Sequence, residues 1–225
     1  MTDTTDHDDL TSSRIILGLM RIADLSDAEI NDLVRGAMEL GINFFDHADV
    51  YGGVRHRCEQ RFGDAVTFTD AERADVVVQS KVGLREGFWD FSKEHILTTV
   101  DESLTALNLE YLDVLLLHRP DALVEPEEVA EAFDQLHASG KVRHFQLSIT
   151  HAPLIAQGTA ANMAGRDQSI GRDYGMLDYS RLTGMTLQAW SPFQKGFFDG
   201  VFLGDREHFA GLNDVIDELA TAYGV

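Results

Sequence analysis

The strongest constraint on the fold of this chain is a repeated alternation of short apolar runs with one-sided helical patterns. Six apolar runs are predicted to form strands, at residues 14–19, 42–49, 76–82, 113–120, 142–149 and 185–192. The first helix between them has Ser26 at its start, Glu29 three residues later, and Gly41 just past its end. Strands that are apolar on both faces and alternate with amphipathic helices predict a parallel sheet covered by helices.

Two α/β architectures fit such a sheet: a (β/α)8 barrel, also called a TIM barrel, and an open doubly wound sheet. Strand starts lie about 30 residues apart, the length of one βα unit of the barrel. The first apolar run lacks the Gly-x-Gly-x-x-Gly turn of the dinucleotide-binding open sheet. The sequence therefore favours the barrel, although six strand signals rather than eight make it incomplete. We expect residues 1–12 to form a mobile acidic tail and residues 13–225 a single barrel domain.

Composition argues against several classes of function. The 225 residues carry 18 Lys and Arg against 38 Asp and Glu, and the net charge of −20 repels nucleic-acid phosphates and anionic membrane surfaces. The single cysteine, Cys58, cannot form an internal disulfide, which is typical of a reducing compartment. No apolar run reaches the roughly 20 residues of a membrane helix, and the N-terminus lacks a signal-peptide pattern. We expect a cytoplasmic protein that acts on a small molecule, with its oligomeric state left open.

Polar side chains stand at the ends of three successive predicted strands. Asp46 lies near the end of the second strand and Tyr51 follows it, the third strand carries Lys81, and the fourth carries His118 near its end. Taken singly, each has an ordinary structural explanation. Because a (β/α)8 barrel carries its active site at the carboxyl ends of its strands, we expect the four side chains to converge at one mouth.

Such a set suits the reduction of a carbonyl group. The carbonyl oxygen needs a proton, and a tyrosine, with a pKa of about 10, releases its proton reluctantly at neutral pH. A lysine ammonium beside the phenol favours the phenolate, and a carboxylate keeps that lysine charged in a semi-buried pocket. A histidine at the same mouth can donate a hydrogen bond that orients the carbonyl oxygen.

The motifs around these residues resemble those of the aldo-keto reductases. The segments similar to the family are GINFFDHADVYGG (41–53), VQSKVG (78–83), YLDVLLLHRPD (111–121), ASGKVRHF (138–145) and LQAWSPFQKGFF (187–198). They correspond to its second-strand signature, its lysine motif, its histidine motif, and the segments around its fifth and seventh strands. The resemblance covers nearly the whole chain after the tail.

The resemblance implies an oxidoreductase that reduces an aldehyde or ketone to an alcohol by hydride transfer. It implies that Tyr51 is the general acid, Lys81 tunes it, Asp46 holds Lys81, and His118 orients the carbonyl. The implied cofactor is NADP(H), with NAD(H) as the alternative. Its implied binding residues are Gly18, Met20, Arg21, Trp190, Ser191, Pro192 and Phe193. Among these, Trp190 is implied to stack on the nicotinamide.

The sequence departs from the family pattern at one internal point and at its end. Phe145 lies in the fifth-strand segment, whereas Gln146 begins a segment similar to the family's sixth strand, so one βα unit of roughly 30 residues is absent between them. The chain also stops at Val225, before any counterpart of the eighth strand. Because such gaps would expose unpaired strand edges, we expect segments that exist in the molecule but not in this sequence. A genuine deletion is the alternative.

Two other functions stay open at this stage. His47, Asp49 and His118 combine imidazole and carboxylate ligands, as in metal-dependent barrel hydrolases. Strand alternation opposes this hypothesis, because it places His47 and Asp49 on the face opposite Asp46. The other alternative is a non-catalytic barrel that binds a nicotinamide cofactor. The loops that set specificity in this fold are aromatic and bulky here, and they suit a hydrophobic or a sugar-like carbonyl compound equally.

Overall fold

The computed structural model describes residues 11–118, 121, 123–147 and 201–224, with the single residues 182, 188 and 193. The chain divides into two compact units, Met1–Ser148 and Ile149–Val225. All but the last two residues of the predicted tail lie outside the described residues. The single domain over residues 13–225 stays a prediction.

The first unit contains a parallel sheet. In chain order its elements are β1 (Leu17–Gly18), α1 (Asp27–Glu39), β2 (Phe44–Asp46), α2 (Arg57–Ala65), α3 (Asp70–Asp75), β3 (Val77–Val82), β4 (Leu84–Arg85), β5 (Phe88–Trp89), α4 (Lys93–Leu107), β6 (Leu112–Leu117), α5 (Pro126–Ala138) and β7 (Val142–Leu147). Five strands form one sheet in the order β1-β2-β3-β6-β7, and all neighbouring pairs are parallel. This order follows the chain, whereas a doubly wound sheet reverses its strand order at a switch point.

The two faces of this sheet have different surroundings. The apolar stripes of α1, α2, α4 and α5 pack on one face, which we call the helix face, together with outward-pointing strand residues such as Phe45. The opposite face, which we call the inner face, carries a separate cluster of Phe44, Val77, Val114 and Leu116. Strand alternation separates the two sets. A parallel sheet whose helices share one face is the pattern of a (β/α)8 barrel.

Capping and glycine signals define the ends of the helices. The Ser26 hydroxyl accepts a hydrogen bond from the N–H of Glu29, and the Glu29 carboxylate accepts one from the N–H of Ser26, which is the predicted capping box. Gly41 follows α1 with a φ of +77°, a left-handed conformation that glycine adopts without strain. Ser92 caps α4, since its hydroxyl accepts a hydrogen bond from the N–H of His95.

Two short elements escape the sequence pattern. α3 has a capping box of its own between Thr69 and Glu72, but its six residues are too few to show an apolar stripe. β4 and β5 form a separate antiparallel hairpin after β3, in which Leu84 pairs with Trp89. Both elements lie between longer ones whose positions the apolar pattern predicts.

The predicted junction between Phe145 and Gln146 lies inside β7. This strand pairs with β6 in unbroken register, with Phe145 opposite Leu115 and Gln146 opposite Leu116. The backbone therefore joins the two family-like segments as one continuous strand. The absence of a βα unit at this point stays a prediction.

The second unit is described mainly over residues 201–224. Its helix α6 spans Ala210–Tyr223. The buried Asn213 ties the preceding turn to this helix, since its side chain accepts from the N–H of Gly204 and donates to the carbonyl of Phe202. The predicted strand at residues 185–192 lies outside the described residues except for Gln188. Among the described helices, none has both the length and the apolarity that crossing a membrane requires.

Candidate active site

The polar residues at the strand ends meet on the inner face of the sheet. Asp46 is the last residue of β2, and the alternation that points Phe44 inward also points Asp46 inward. Lys81 lies near the end of β3 and pairs with Leu116 of β6. His118 directly follows β6. The carboxyl ends of the three strands therefore lie side by side, and the side chains that follow them converge.

Lys81 is the centre of a hydrogen-bonded network. Its Nζ donates to Asp46 Oδ1 at 2.6 Å, to Tyr51 Oη at 2.8 Å and to the carbonyl oxygen of His47 at 2.7 Å. These bonds use all three donors of an ammonium group. Tyr51 Oη also lies 3.4 Å from Asp46 Oδ2. A lysine, a carboxylate and a phenol thus share one network, in which Lys81 is only 8% exposed.

Tyr51 is presented by a tight loop between β2 and α2. Gly52 and Gly53 follow it with φ angles of +94° and +80°, which glycine tolerates and other residues rarely adopt. The loop is attached to α2, since the N–H of Cys58 donates to the Tyr51 carbonyl at 3.2 Å. The ring of His118 lies edge-to-face against Tyr51, with ring centroids 6.0 Å apart. The structure therefore brings together all four residues predicted for catalysis.

Burial and neighbouring carboxylates act on Lys81 in opposite directions. Burial lowers the pKa of the Lys81 ammonium, because the charge loses its hydration. The Asp46 carboxylate, and more weakly Glu59 and Asp49, raise that pKa. Asp46 is therefore the counter-ion that favours the charged form of the lysine.

Gln79 belongs to the same network, although no motif marks it in the sequence. It is 2% exposed, and its Nε2 donates to Asp46 Oδ1 at 2.5 Å. It lies two residues before Lys81 on β3. Because residues i and i+2 of a strand share a face, alternation is the signal that could have identified it. Gln79 fixes the carboxylate that holds the lysine.

Gly18, a predicted cofactor-binding residue at the end of β1, lies beside Asp46. Gly18 pairs with Asp46 in the sheet, and the N–H of Leu19 donates to the Asp46 carbonyl at 2.9 Å. Met20 and Arg21 follow and are exposed. A side chain at Gly18 would meet no described atom within 4 Å, so the described residues leave this side of the site open.

The other predicted cofactor-binding residues belong to the second unit. Trp190, Ser191 and Pro192 lie outside the described residues. Phe193 is half-exposed, and its carbonyl accepts a hydrogen bond from the N–H of Phe202 at 2.9 Å. The two rings pack edge-to-face with centroids 6.2 Å apart. Contact between Phe193 and a cofactor stays a prediction.

The structure does not bring together the residues of the metal-site hypothesis. His47 and Asp49 are fully buried. His47 faces the helices, where its ring packs against Phe62 of α2 at 4.6 Å, whereas His118 lies against Tyr51. Within the described part of the chain, no group of three or more His, Cys, Asp or Glu residues is arranged to hold a metal ion. Burial also lowers the pKa of His47 to about 4, as expected for a neutral histidine packed in a core.

Several known proteins are similar to this chain in sequence, and one solved structure is similar to it in fold. The family model "Aldo/keto reductase family" matches residues 14–224. The uncharacterized oxidoreductase YcsN of Bacillus subtilis is 42% identical over 63% of this chain and 50% of its own length. The 6-dehydroglucose reductase of Agrobacterium fabrum is 30% identical over 88% of this chain and 73% of its own length. The solved structure of aldo-keto reductase AKR11C1 from Bacillus halodurans, in its holo form, is 29% identical with a TM-score of 0.54, covering 64% of this chain and 48% of that one.

The chain thus spans about half the length of YcsN and of the Bacillus halodurans enzyme. The match to the family model nevertheless extends over nearly all of the present sequence, from the first strand to the last helix. It confirms the predicted (β/α)8 barrel, to which the five-stranded parallel sheet belongs. This chain is a member of the aldo/keto reductase family.

Proposed function

We propose that this protein is an NADP(H)-dependent oxidoreductase that reduces an aldehyde or ketone to an alcohol, with Tyr51 as the proton donor. The observation that carries the proposal is the Lys81 ammonium, which bridges the phenol of Tyr51 and the carboxylate of Asp46. Membership of the family supports the class of reaction, as do the relatives named as an oxidoreductase and a reductase.

The four side chains can together protonate a carbonyl oxygen. Reduction adds a hydride to the carbonyl carbon and a proton to its oxygen. In the proposed reaction the O–H bond of Tyr51 breaks as the O–H bond of the alcohol forms. The Lys81 ammonium stabilises the phenolate that remains, and Asp46 keeps that ammonium charged. The His118 imidazole donates a hydrogen bond that orients the carbonyl oxygen.

The reaction needs a source of two electrons, because none of the four side chains is a reductant. A reduced nicotinamide supplies the hydride when bound. The four side chains fit such a group, because they provide a proton but no electrons. The open side at Gly18, Met20 and Arg21 leaves room for the nicotinamide beside Asp46. The resemblance favours NADP(H) over NAD(H). The further contacts that it implies are Trp190, Ser191, Pro192 and Phe193.

The proposal also covers the class of substrate and the cellular compartment of the protein. The relative named 6-dehydroglucose reductase supports a carbonyl group on a sugar, and the bulky loops suit a hydrophobic aldehyde as well. The single cysteine, Cys58, is buried as a free thiol, which supports a reducing cytoplasm. The acidic charge supports a small-molecule substrate rather than a nucleic acid.

The test is a Tyr51→Phe variant assayed with NADPH and NADH against hydrophobic aldehydes, ketones and oxidised sugars. We expect kcat to fall about 10²- to 10⁴-fold, the usual contribution of a general acid, while cofactor affinity measured by fluorescence titration is unchanged. Tyr111→Phe is the matched control, because Tyr111 lies at the start of β6 with its ring between the guanidinium groups of Arg73 and Arg143.

Two outcomes contradict the proposal. Unchanged turnover in the Tyr51→Phe variant would exclude this residue as the proton donor. Cofactor binding by the wild-type protein without oxidation of the cofactor by any carbonyl compound favours the non-catalytic barrel instead.

A further inference from the structure

Glu59, on α2, is a buried carboxylate outside the four residues of the proposed reaction. It is 0% exposed. Its Oε1 accepts a hydrogen bond from Ser80 Oγ at 2.5 Å, and its Oε2 accepts one from Ser103 Oγ at 3.1 Å and lies 2.6 Å from His56 Nδ1. A carboxylate is unfavourable in a core unless it is well partnered, and these contacts from β3, α4 and the start of α2 supply the partners.

The contacts of Glu59 close a ring through the proposed proton donor. Ser80 immediately precedes Lys81 on β3, and the two side chains point to opposite faces. Cys58 immediately precedes Glu59, and its N–H donates to the Tyr51 carbonyl. Lys81 Nζ in turn donates to Tyr51 Oη. The ring therefore runs from the Tyr51 backbone through Glu59, Ser80 and Lys81 to the Tyr51 phenol.

We propose that Glu59 is a positioning residue for the Tyr51–Lys81 pair. It fixes the pair through Ser80 and α2, and from the helix face its negative charge favours the charged form of the Lys81 ammonium. The inference rests on the proposed function, in which this pair transfers the proton. Glu59 contacts β3 from the side opposite Tyr51 and Lys81. It acts through the chain geometry and through the field of its own charge.

The charge of Glu59 supports the charge of Lys81. Burial raises the pKa of Glu59, but hydrogen bonds from His56 and Ser80 outweigh burial and lower it, so the carboxylate is ionised. Glu59 then raises the pKa of Lys81, as Asp46 does, against the effect of burial. The other charged or titratable groups around Glu59 and Lys81 are His56 and Cys58 of the α2 start, Arg55 and Asp49 of the preceding loop, His47 of the β2 end, and Glu102 of α4.

The first experiment measures the titration of Lys81 directly. The sequence has four lysines, Lys81, Lys93, Lys141 and Lys195, so side-chain NMR of lysine-labelled protein gives few signals, and a Lys81→Met variant assigns the one of interest. In Glu59→Gln, which keeps the shape and one accepting oxygen but removes the negative charge, we expect the pKa of Lys81 to fall below the wild-type value. Glu102→Gln is the matched control, because Glu102 is half-exposed and contacts the opposite nitrogen of His56.

The second experiment separates geometry from charge. Ser80→Ala breaks the link to Glu59, while His56 and Ser103 continue to bond its carboxylate, so we expect kcat to fall about 2- to 30-fold with a smaller change in the pKa of Lys81 than in Glu59→Gln. Glu59→Gln should move the alkaline limb of the kcat–pH profile to lower pH, because Lys81 loses its proton earlier. KM should change little in either variant, since neither residue touches the substrate.

The two variants test the effect of Glu59 on the charge of Lys81 and its positioning of the Tyr51–Lys81 pair separately. If the pKa of Lys81 is the same in Glu59→Gln and wild type, Glu59 does not sustain the charge, and if Ser80→Ala has wild-type kcat, the link does not position the pair. Ser80→Ala tests the ring on its own should Glu59→Gln not fold. The NMR titration needs no turnover. A lowered Lys81 pKa in a protein that reduces no carbonyl compound would therefore reject the proposed function while retaining the effect of Glu59 on Lys81.

Discussion

Buried polar groups have different surroundings on the two faces of the sheet at β2 and β3. On the inner face, burial lowers the pKa of Lys81, but the Asp46 carboxylate pairs with the ammonium and raises that pKa, and Gln79 holds Asp46. His47 directly follows β2 and lies on the helix face, where neither of its ring nitrogens has a hydrogen-bond partner among the described residues. Burial lowers the pKa of His47 to about 4, so that the ring is neutral at pH 7. A paired carboxylate thus favours the charged form of Lys81 on one face, whereas burial favours the neutral form of His47 on the other.

The difference shows how a strand of alternating side chains can serve chemistry and stability at once. The inner face ends in groups that can exchange a proton, whereas the helix face is mostly apolar and packs on four helices. Glu59 and Ser80 are polar residues of the helix face that lie directly behind Lys81. Changes on the inner face should therefore alter turnover, and changes on the helix face should mainly alter stability.

The largest expected effect is on the inner face, in Lys81→Met. Loss of the ammonium leaves the phenol of Tyr51 without the charge that stabilises its phenolate, so we expect kcat to fall about 10²- to 10⁴-fold. Steady-state kinetics with the best carbonyl substrate measures it. Lys141→Met is the matched control, because Lys141 is half-exposed and pairs with the exposed Asp101. A Lys81→Met variant with wild-type kcat would show that the inner-face network has no part in turnover.

Two adjacent leucines of β6 allow the contributions of the two faces to the free energy of unfolding to be compared. Leu115 lies on the helix face and Leu116 on the inner face, and both are nearly buried. Replacing a buried leucine by alanine lowers the free energy of unfolding by about 2–5 kcal/mol, with the larger values where the surroundings cannot collapse. We expect Leu115→Ala to be near the upper end, since the sheet and the helices hold its site open. We expect a smaller loss for Leu116→Ala.

Urea denaturation followed by circular dichroism measures both variants. Leu40→Ala is the control, because Leu40 is 82% exposed after α1 and should change stability by at most about 0.5 kcal/mol. A larger loss for Leu116→Ala than for Leu115→Ala would contradict the assignment of the main core to the helix face.

Much of this arrangement follows from the sequence by simple rules. Alternation predicts that Asp46 points inward and that His47 points toward the helices, as the structure has them. The capping box of Ser26 and the apolar spacing of the strands predict α1 and the parallel sheet, because these signals are local. The convergence of Tyr51, Lys81 and His118 follows once the strands are parallel neighbours, since their carboxyl ends then share one edge.

What the sequence does not predict depends on contacts between distant residues. Glu59 and Ser80 are 21 residues apart, and nothing local indicates that α2 lies behind β3 at the depth where their side chains meet. Gln79 is marked only by its alternation with Lys81. α3 is too short for a periodic signal, and its capping box at Thr69 is the sole local clue. Local patterns thus predict the elements, and packing determines the partners.

A third prediction concerns His47, whose buried ring makes stability depend on pH. Its pKa is about 4 in the folded protein and about 6.5 when exposed, so the unfolded chain binds the proton first. Burial of the neutral His47 ring therefore does not lower the free energy of unfolding above about pH 6.5, but it lowers that free energy increasingly as pH falls toward 4. We expect His47→Leu to be close to wild type at pH 7 and about 3 kcal/mol more stable relative to it near pH 4.

Urea denaturation of both proteins at several pH values between 7 and 4 measures this difference. Asp49, whose pKa burial raises to about 7, titrates in the opposite sense, but it is present in both proteins and cancels from the difference. His137→Gln, at an exposed position of α5, is the control and should follow wild type. Parallel stability curves for His47→Leu and wild type would mean that the His47 ring is not kept neutral by the core.

The smallest expected effect returns to the inner face, in Gln79→Leu. This change removes one hydrogen bond to the Asp46 carboxylate and leaves the pairing of Asp46 with Lys81 in place. A hydrogen bond to a charged group contributes about 1.5–3 kcal/mol, and the remaining ion pair retains part of the orientation, so we expect kcat to fall about tenfold or less. Stability should change little, because leucine fills a similar volume on a face that already carries apolar side chains. If Gln79→Leu instead lowers stability and leaves kcat intact, Gln79 serves the core, and the division of labour between the two faces does not extend to it.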